Sequence, residues 1–83
     1  MKFRDEVIGL VVDKVAELRN IEDKTTLTEE TNLKDGLSFK SGELVVVIGA
    51  LEDEYDVYID FMKLAKCETI GSIADFVVRA VMG

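Results

Sequence analysis

Hydrophobic residues recur with helical spacing in the first part of the chain. Between Phe3 and Leu18, apolar side chains return every three or four residues, while charged side chains occupy the other side. The apolar positions of this stripe are Ile8, Val11, Val12, Val15 and Leu18. Val7 and Leu10 widen the stripe beyond one narrow face. The pattern therefore predicts a first helix that packs against two neighbours.

The stretch from Glu43 to Tyr55 admits two interpretations. Its opening, Leu44 to Ile48, is rich in β-branched residues and by propensity alone favours a buried strand. As a helix, the same stretch forms one continuous apolar face, because its apolar residues recur at helical intervals. These residues are Leu44, Val47, Ile48, Leu51 and Tyr55. We predict a helix, since the chain offers no other strands for pairing and lacks the further glycines that a dinucleotide-binding loop needs after Gly49.

Two further helices are predicted in the last third of the chain. A short helix of one or two turns begins at Asp60, and the last helix has Thr69 as its N-cap. The apolar residues of the last helix recur at helical spacing as Ile70, Ile73, Phe76, Val77, Ala80 and Val81. The predicted fold is therefore all-α, a bundle of three main helices plus one short helix, in a single domain of residues 1–83.

A long loop separates the first two main helices. Residues 20–40 lose the helical period and are rich in polar residues, which predicts an ordered loop that can include a short helical turn. Isolated apolar residues are expected to pin the loop across the helices, namely Ile21, Leu27, Leu33, Leu37 and Phe39. Loops of this length without secondary structure are more often functional than idle.

Composition excludes several classes of function. The 83 residues carry a net charge of −7 with a pI near 4.4, which disfavours nucleic acid and anionic membrane as partners. Histidine is absent, so a hydrolytic triad and the commonest metal ligand are excluded, and we predict neither an enzyme nor a metal site. The single Cys67 cannot form an internal disulfide, which favours the reducing cytoplasm. The apolar run from Leu44 to Leu51 is far shorter than the roughly 18 residues of a membrane span.

Ser41 is the best candidate for a chemical role. It lies where the polar loop meets the second helix, a position at which side-chain hydroxyls cap free backbone N–H groups. The helix dipole favours negative charge at the same place, so a phosphate on this hydroxyl would be stabilised. A serine before a helix is more often a plain N-cap, and the residues alone leave both readings open.

The spacing around Ser41 resembles that of the acyl carrier protein family. Members of this family carry a serine in an Asp-Ser-Leu motif at the start of their second helix, after a long loop and before an acidic stretch with an aromatic residue. Here Ser41 is followed at the matching distance by the stretch Leu51 to Asp56. Matching apolar anchors occur at Leu27, Leu33, Leu37, Ile59, Ile70 and Phe76. The chain departs from the motif at Lys40, which replaces the aspartate, and at Gly42, which replaces the leucine.

The resemblance implies a function and a set of site residues. It implies that a phosphopantetheinyl transferase attaches 4′-phosphopantetheine, taken from coenzyme A, to Ser41, and that the arm holds acyl intermediates as thioesters. Partner enzymes with basic docking patches would contact Glu43, Val46, Glu52 and Asp53. An acyl pocket is expected where the second and third helices part, lined by Val47, Ile48, Leu51, Leu64, Cys67 and Ile70.

We therefore predict a monomeric, specialised acyl carrier for fatty-acid, lipid or polyketide-type synthesis. A peptidyl or aminoacyl carrier with the same fold is one alternative. An unmodified helical adaptor that binds a partner through its Val45 and Val46 side is the other. Within the carrier, Cys67 is expected to be a small buried apolar residue and not a nucleophile, because no histidine or lysine cluster is evident to lower its pKa.

Overall fold

The computed structural model describes residues 2–83, which form a bundle of four α-helices. Their bounds are α1 Lys2–Arg19, α2 Ser41–Tyr55, α3 Phe61–Leu64 and α4 Ile70–Met82. A single 3₁₀ turn, Lys24–Thr26, interrupts the long loop between α1 and α2. The predicted all-α fold of three main helices and one short helix is confirmed.

Helix α1 contacts both α2 and α4, as the width of its apolar stripe predicts. However, the most buried residues of α1 differ in part from those of the predicted apolar stripe. The fully buried positions are Val7, Val11 and Val15, whereas Ile8, Val12 and Leu18 are only partly buried. The shift arises because α1 shares its apolar surface between two neighbouring helices, so the residues on the line between them are the most deeply enclosed.

Helix α2 confirms the helical interpretation of the ambiguous stretch. Its four buried residues are Leu44, Val47, Ile48 and Leu51, all on the predicted face, and Tyr55 packs partly buried against the core. Burial of this face against the rest of the bundle outweighs the β-propensity of its valines and isoleucine.

The long loop is ordered by backbone hydrogen bonds to the segment that begins α4. The Leu33 N–H donates to the Glu68 carbonyl at 2.8 Å, and the Ile70 N–H donates to the Thr31 carbonyl at 3.1 Å. The Gly71 N–H donates to the Glu29 carbonyl at 2.8 Å. Two of these bonds satisfy N–H groups of the first turn of α4, which have no acceptor inside the helix. The loop is thus fixed at one end of the bundle before it reaches α2.

The two predicted starts of the C-terminal helices are confirmed. The Asp60 carboxylate accepts from the Met62 N–H at 2.9 Å, so Asp60 caps α3. The Thr69 hydroxyl accepts from the Ser72 N–H at 3.1 Å, and the Ser72 hydroxyl accepts in return from the Thr69 N–H at 3.0 Å. Ala80 is expected on the apolar stripe but is exposed, because the buried face of α4 runs through Ala74, Val77 and Val81.

Few large apolar side chains are exposed in residues 2–83. Those that are exposed are Val45, Val46, Tyr58, Met62 and Met82. Within residues 2–83, no helix combines the length and the apolar character that crossing a membrane requires.

Candidate functional site

Ser41 is the first residue of α2, and its side chain is exposed. Of the two readings that the sequence leaves open, the plain N-cap does not apply. The N-cap is Lys40, and the Ser41 hydroxyl makes no hydrogen bond to any residue in the range 2–83. Because Ser41 is the first helical residue and not the residue before it, its hydroxyl does not occupy the capping position.

Glu43 binds the backbone just before α2. Its carboxylate accepts from the Lys40 N–H at 3.1 Å, which is one half of a capping box. The Lys40 side chain has no acceptor atom and cannot make the reciprocal bond. The Arg19 guanidinium donates to both oxygens of the same carboxylate, with Nη2 at 2.8 Å from Oε1. This bidentate pair joins the last residue of α1 to the first turn of α2.

Arg19 also holds the segment that precedes Ser41. Its guanidinium carbon lies 4.8 Å from the centre of the Phe39 ring, which is a cation–π contact. Its Nη2 donates to the Ser38 carbonyl at 3.3 Å. Arg19 thus contacts the chain on both sides of the loop-to-helix junction and positions Ser41. Arg19 is not predictable as a site residue from local pattern, and its one signal is that it is the basic residue in the last turn of α1.

Replacement of Glu43 by glutamine is expected to lower the melting temperature by a few degrees near neutral pH. Arg19, and after it the Lys40 N–H, lowers the pKa of Glu43 from 4.5 to about 2. Because the folded-state pKa lies below the ordinary value, the ionised carboxylate stabilises the folded state above pH 4.5, and this stabilisation is lost as the pH falls toward 2. Melting curves across this range should therefore show the wild type and the variant converging at the acidic end.

Glu22→Gln is the matched control for this prediction, since Glu22 is exposed and has no ion pair among residues 2–83. A Glu43→Gln variant that melts with the wild type at neutral pH would show that the Arg19 pair contributes nothing to stability.

The four predicted partner-binding residues have different environments. Val46 and Asp53 are exposed. Glu43 is held by Arg19, and the Glu52 carboxylate accepts from the Ile59 N–H at 2.8 Å. Glu52 is half-buried, and its carboxylate satisfies the backbone N–H of the buried residue Ile59. The acidic residues Asp53, Glu54 and Asp56 are exposed. That partner enzymes contact Glu43, Val46, Glu52 and Asp53 stays a prediction.

A cavity of about 300 Å³ opens beside Ser41, between the loop, the start of α2 and α3. Most of its wall is apolar and consists of Leu33, Phe39, Leu44, Phe61, Met62 and Ala65. Ser41, Lys34, Lys40 and Cys67 complete the lining. The free hydroxyl thus lies at the edge of an apolar cavity with two lysines.

Only one of the six predicted acyl-pocket residues lines this cavity. That residue is Cys67; the other five pack in the closed core, namely Val47, Ile48, Leu51, Leu64 and Ile70. They would line a pocket only after α2 and α3 separate, so their role stays a prediction. Burial raises the pKa of the Cys67 thiol, which keeps it protonated near neutral pH.

The arrangement around Ser41 fits a covalently attached phosphate bearing a long arm. The hydroxyl is exposed and unbonded, the N-terminus of α2 favours an anion, and an apolar cavity adjoins the attachment point. The chain has no histidine, and no cluster of acidic or cysteine side chains in residues 2–83 is arranged to hold a metal ion.

Comparison with known proteins agrees with this geometry. The family profile described as "Phosphopantetheine attachment site" matches residues 9–77. An acyl carrier protein of Thermotoga maritima is 31% identical over 79 residues, which is 95% of this chain and 96% of that protein. An acyl carrier protein of Saccharopolyspora erythraea is 33% identical over 55 residues, which is 66% of this chain and 58% of that protein. The chain therefore belongs to the acyl carrier protein family, whose members are carriers with covalently attached 4′-phosphopantetheine and not enzymes.

Proposed function

We propose that this protein carries acyl groups as thioesters on a 4′-phosphopantetheine arm attached to Ser41. The observation that carries the proposal is the exposed, unbonded hydroxyl of Ser41 at the first residue of α2, in a chain of this family. When attached, the arm supplies the thiol that holds the acyl group. The protein supplies the attachment point and a cavity beside it.

Attachment would be a phosphoryl transfer in which Ser41 is the nucleophile. The Ser41 oxygen forms a bond to the phosphorus that bears the pantetheine of coenzyme A, and the pyrophosphate bond of coenzyme A breaks. Adenosine 3′,5′-bisphosphate leaves, and the serine proton passes to a base. That base belongs to the transferase, because the chain has no histidine and the neighbouring Glu43 is occupied by Arg19.

The residues around Ser41 favour the resulting phosphodiester anion. The backbone N–H groups of the first turn of α2 have no acceptors within the helix and lie at its positive end. Lys40, directly before Ser41, adds a cation where the family motif has an aspartate. The altered motif therefore stabilises the modified state by electrostatics, while it changes the surface that a transferase must recognise.

The partners implied are a phosphopantetheinyl transferase and enzymes that load and transfer acyl groups. Basic docking patches on these enzymes would meet exposed groups of α2 such as Val46 and Asp53. We infer a monomeric cytoplasmic protein that serves dedicated enzymes of fatty-acid, lipid or polyketide-type synthesis. A net charge of −7 supports protein partners with basic surfaces and argues against nucleic acid.

Intact mass after incubation with coenzyme A and a phosphopantetheinyl transferase tests the proposal. The expected result is a gain of one phosphopantetheinyl group per chain. No gain with several transferases, together with an unmodified mass in protein purified from its own host, would contradict it.

An unmodified adaptor is the second candidate function. Val45 is 55% exposed and Val46 is 49% exposed, so α2 presents two apolar side chains to solvent. The adaptor is supported if unmodified protein binds its partner and loses that binding in Val45→Ser and Val46→Ser. Binding that requires the arm instead supports the carrier.

A longer acyl chain on the arm is expected to raise the melting temperature. The physical reason is burial of methylene groups between α2 and α3, each contributing up to about 0.8 kcal/mol. Thermal melts of the protein loaded with chains of increasing length would measure the effect. A constant melting temperature across the series would mean that the cargo stays in solvent.

A further inference from the structure

The segment that leads into Ser41 has little local support for its conformation. Ser38 has a φ of 52°, a left-handed conformation that residues other than glycine seldom adopt. Lys40 is the N-cap of α2, but its side chain makes no capping hydrogen bond. Gly42 lies in the first turn and has a lower helix propensity than every residue except proline. The start of α2 therefore depends on contacts with groups elsewhere in the chain.

Arg19, the last residue of α1, supplies these contacts. Its guanidinium donates to both oxygens of the Glu43 carboxylate, which lies two residues after Ser41. The same group donates to the Ser38 carbonyl at 3.3 Å, and its central carbon lies 4.8 Å from the centre of the Phe39 ring. One side chain thus binds residues on both sides of Ser41.

The pair of Arg19 and Glu43 is suited to fixing a position. Among the ion pairs of residues 2–83, it is the one that joins α1 to α2. Its two side chains are 29% and 27% exposed, so the pair is partly shielded from water. A guanidinium that donates to both oxygens of a carboxylate fixes the distance and the relative orientation of the two groups, which a lysine ammonium does not.

We propose that Arg19 is a positioning residue for attachment of the arm, and that its two-pronged contact with Glu43 holds the Ser41 hydroxyl where it meets the phosphorus of coenzyme A. The inference rests on the proposed carrier function. Arg19 acts through its neighbours, since it makes no hydrogen bond with Ser41 itself. A small misplacement of a reacting group can cost about 100-fold in rate. Loss of Arg19 should therefore slow the chemical step without weakening the encounter with the transferase.

Arg4 provides a matched control within the same helix. It pairs with Asp75 at 2.6 Å and with Glu29 at 3.0 Å, and its side chain is 26% exposed, close to the value for Arg19. These partners lie on α4 and in the loop, and neither hydrogen bond of the Arg4 side chain involves residues 38–43. Arg4→Met thus removes a similar set of ion pairs from the bundle and leaves the junction intact.

Steady-state kinetics of arm attachment test the inference, with coenzyme A and a transferase that modifies the wild type. All variants are measured below the melting temperature of the least stable one. Arg19→Met is expected to lower kcat by roughly 10–100-fold, while KM for the carrier changes by less than about twofold. Arg19→Lys should also lower kcat, because an ammonium group cannot reproduce the two-pronged contact. Arg4→Met should keep the wild-type kcat at a similar loss of melting temperature.

Three results would overturn the inference. A raised KM with unchanged kcat in Arg19→Met would mean that Arg19 contacts the transferase. Equal slowing in Arg4→Met would mean that lost stability is the cause. Wild-type kinetics in Arg19→Lys would mean that positive charge alone is enough. Failure of the wild type to accept the arm from any transferase is a separate result, which contradicts the proposed carrier function.

Hydrogen exchange of the unmodified protein tests the positioning without the arm. The backbone N–H groups of Phe39 and Leu44 donate to carbonyls at 2.7 Å and 3.1 Å, so these two amides report on the chain before and after Ser41. Arg19→Met should speed their exchange several-fold, and Arg4→Met should not. Unchanged exchange in Arg19→Met would show that the junction keeps its conformation without Arg19, which also overturns the inference.

Discussion

Replacement of Ser41 by alanine is expected to abolish attachment of the phosphopantetheine arm while leaving the fold unchanged. The hydroxyl is the proposed nucleophile, and alanine has no atom that can take its place. The same hydroxyl makes no hydrogen bond within residues 2–83, and the side chain is exposed. Its removal should therefore change the free energy of unfolding by no more than about 0.5 kcal/mol. Intact mass measures the first effect and thermal melting the second.

Ser38→Gly is the matched control for this experiment. Ser38 lies three residues before Ser41, is exposed, and has a φ of 52°, which glycine adopts without strain. Ser38→Gly should therefore accept the arm at the wild-type level. An arm on Ser41→Ala, or loss of the arm from Ser38→Gly, would place the attachment elsewhere. A large fall in melting temperature for Ser41→Ala would mean that the hydroxyl has a structural role.

Replacement of Leu51 by alanine is expected to cause the largest loss of stability in α2. Leu51 is 0% exposed and lies in the core, so truncation removes buried methyl groups and leaves a cavity. Such substitutions cost about 2–5 kcal/mol, from a total stability of about 5–15 kcal/mol for a typical domain. The melting temperature should fall by roughly 10–30 °C for a chain of this size.

Val46→Ala is the matched control, since Val46 lies on the same helix but is 49% exposed. Its effect on the free energy of unfolding should be within about 0.5 kcal/mol. Thermal and urea denaturation of both variants would measure the difference. Equal melting temperatures for the two variants would show that Leu51 is not packed as described. Arm attachment to Leu51→Ala at low temperature would separate its structural role from any role in modification.

The helices were predictable because their determinants are local. The spacing of Leu44, Val47 and Leu51 identifies one helical face, and Asp60 and Thr69 mark helix starts by side-chain chemistry acting within three residues. Even the ambiguous α2 followed from its periodicity once no partner strand was available. The prediction was less accurate about which residues of α1 are most buried, because that depends on the positions of two neighbours.

The environment of the candidate site was less predictable. In the sequence, Glu43 and Glu52 are both simply acidic residues of one helix. In the structure, Arg19 binds the Glu43 carboxylate, and the Ile59 N–H donates to the Glu52 carboxylate. Arg19 reaches Glu43 across 24 positions of the chain, and no local pattern indicates such a pair. The cavity likewise has walls from the loop, α2 and α3, so no single segment predicts it.

The helices, the loop and the serine at their junction can be predicted from the order of the residues, since each depends on side chains a few positions apart. The unbonded Ser41 hydroxyl, the Arg19–Glu43 pair at the junction and the apolar cavity beside it became visible only in the folded protein. The physical reason is the separation along the chain of the groups that interact. Helix formation and capping act within about one turn, whereas ion pairing and cavity shape depend on groups that meet only after the chain has folded.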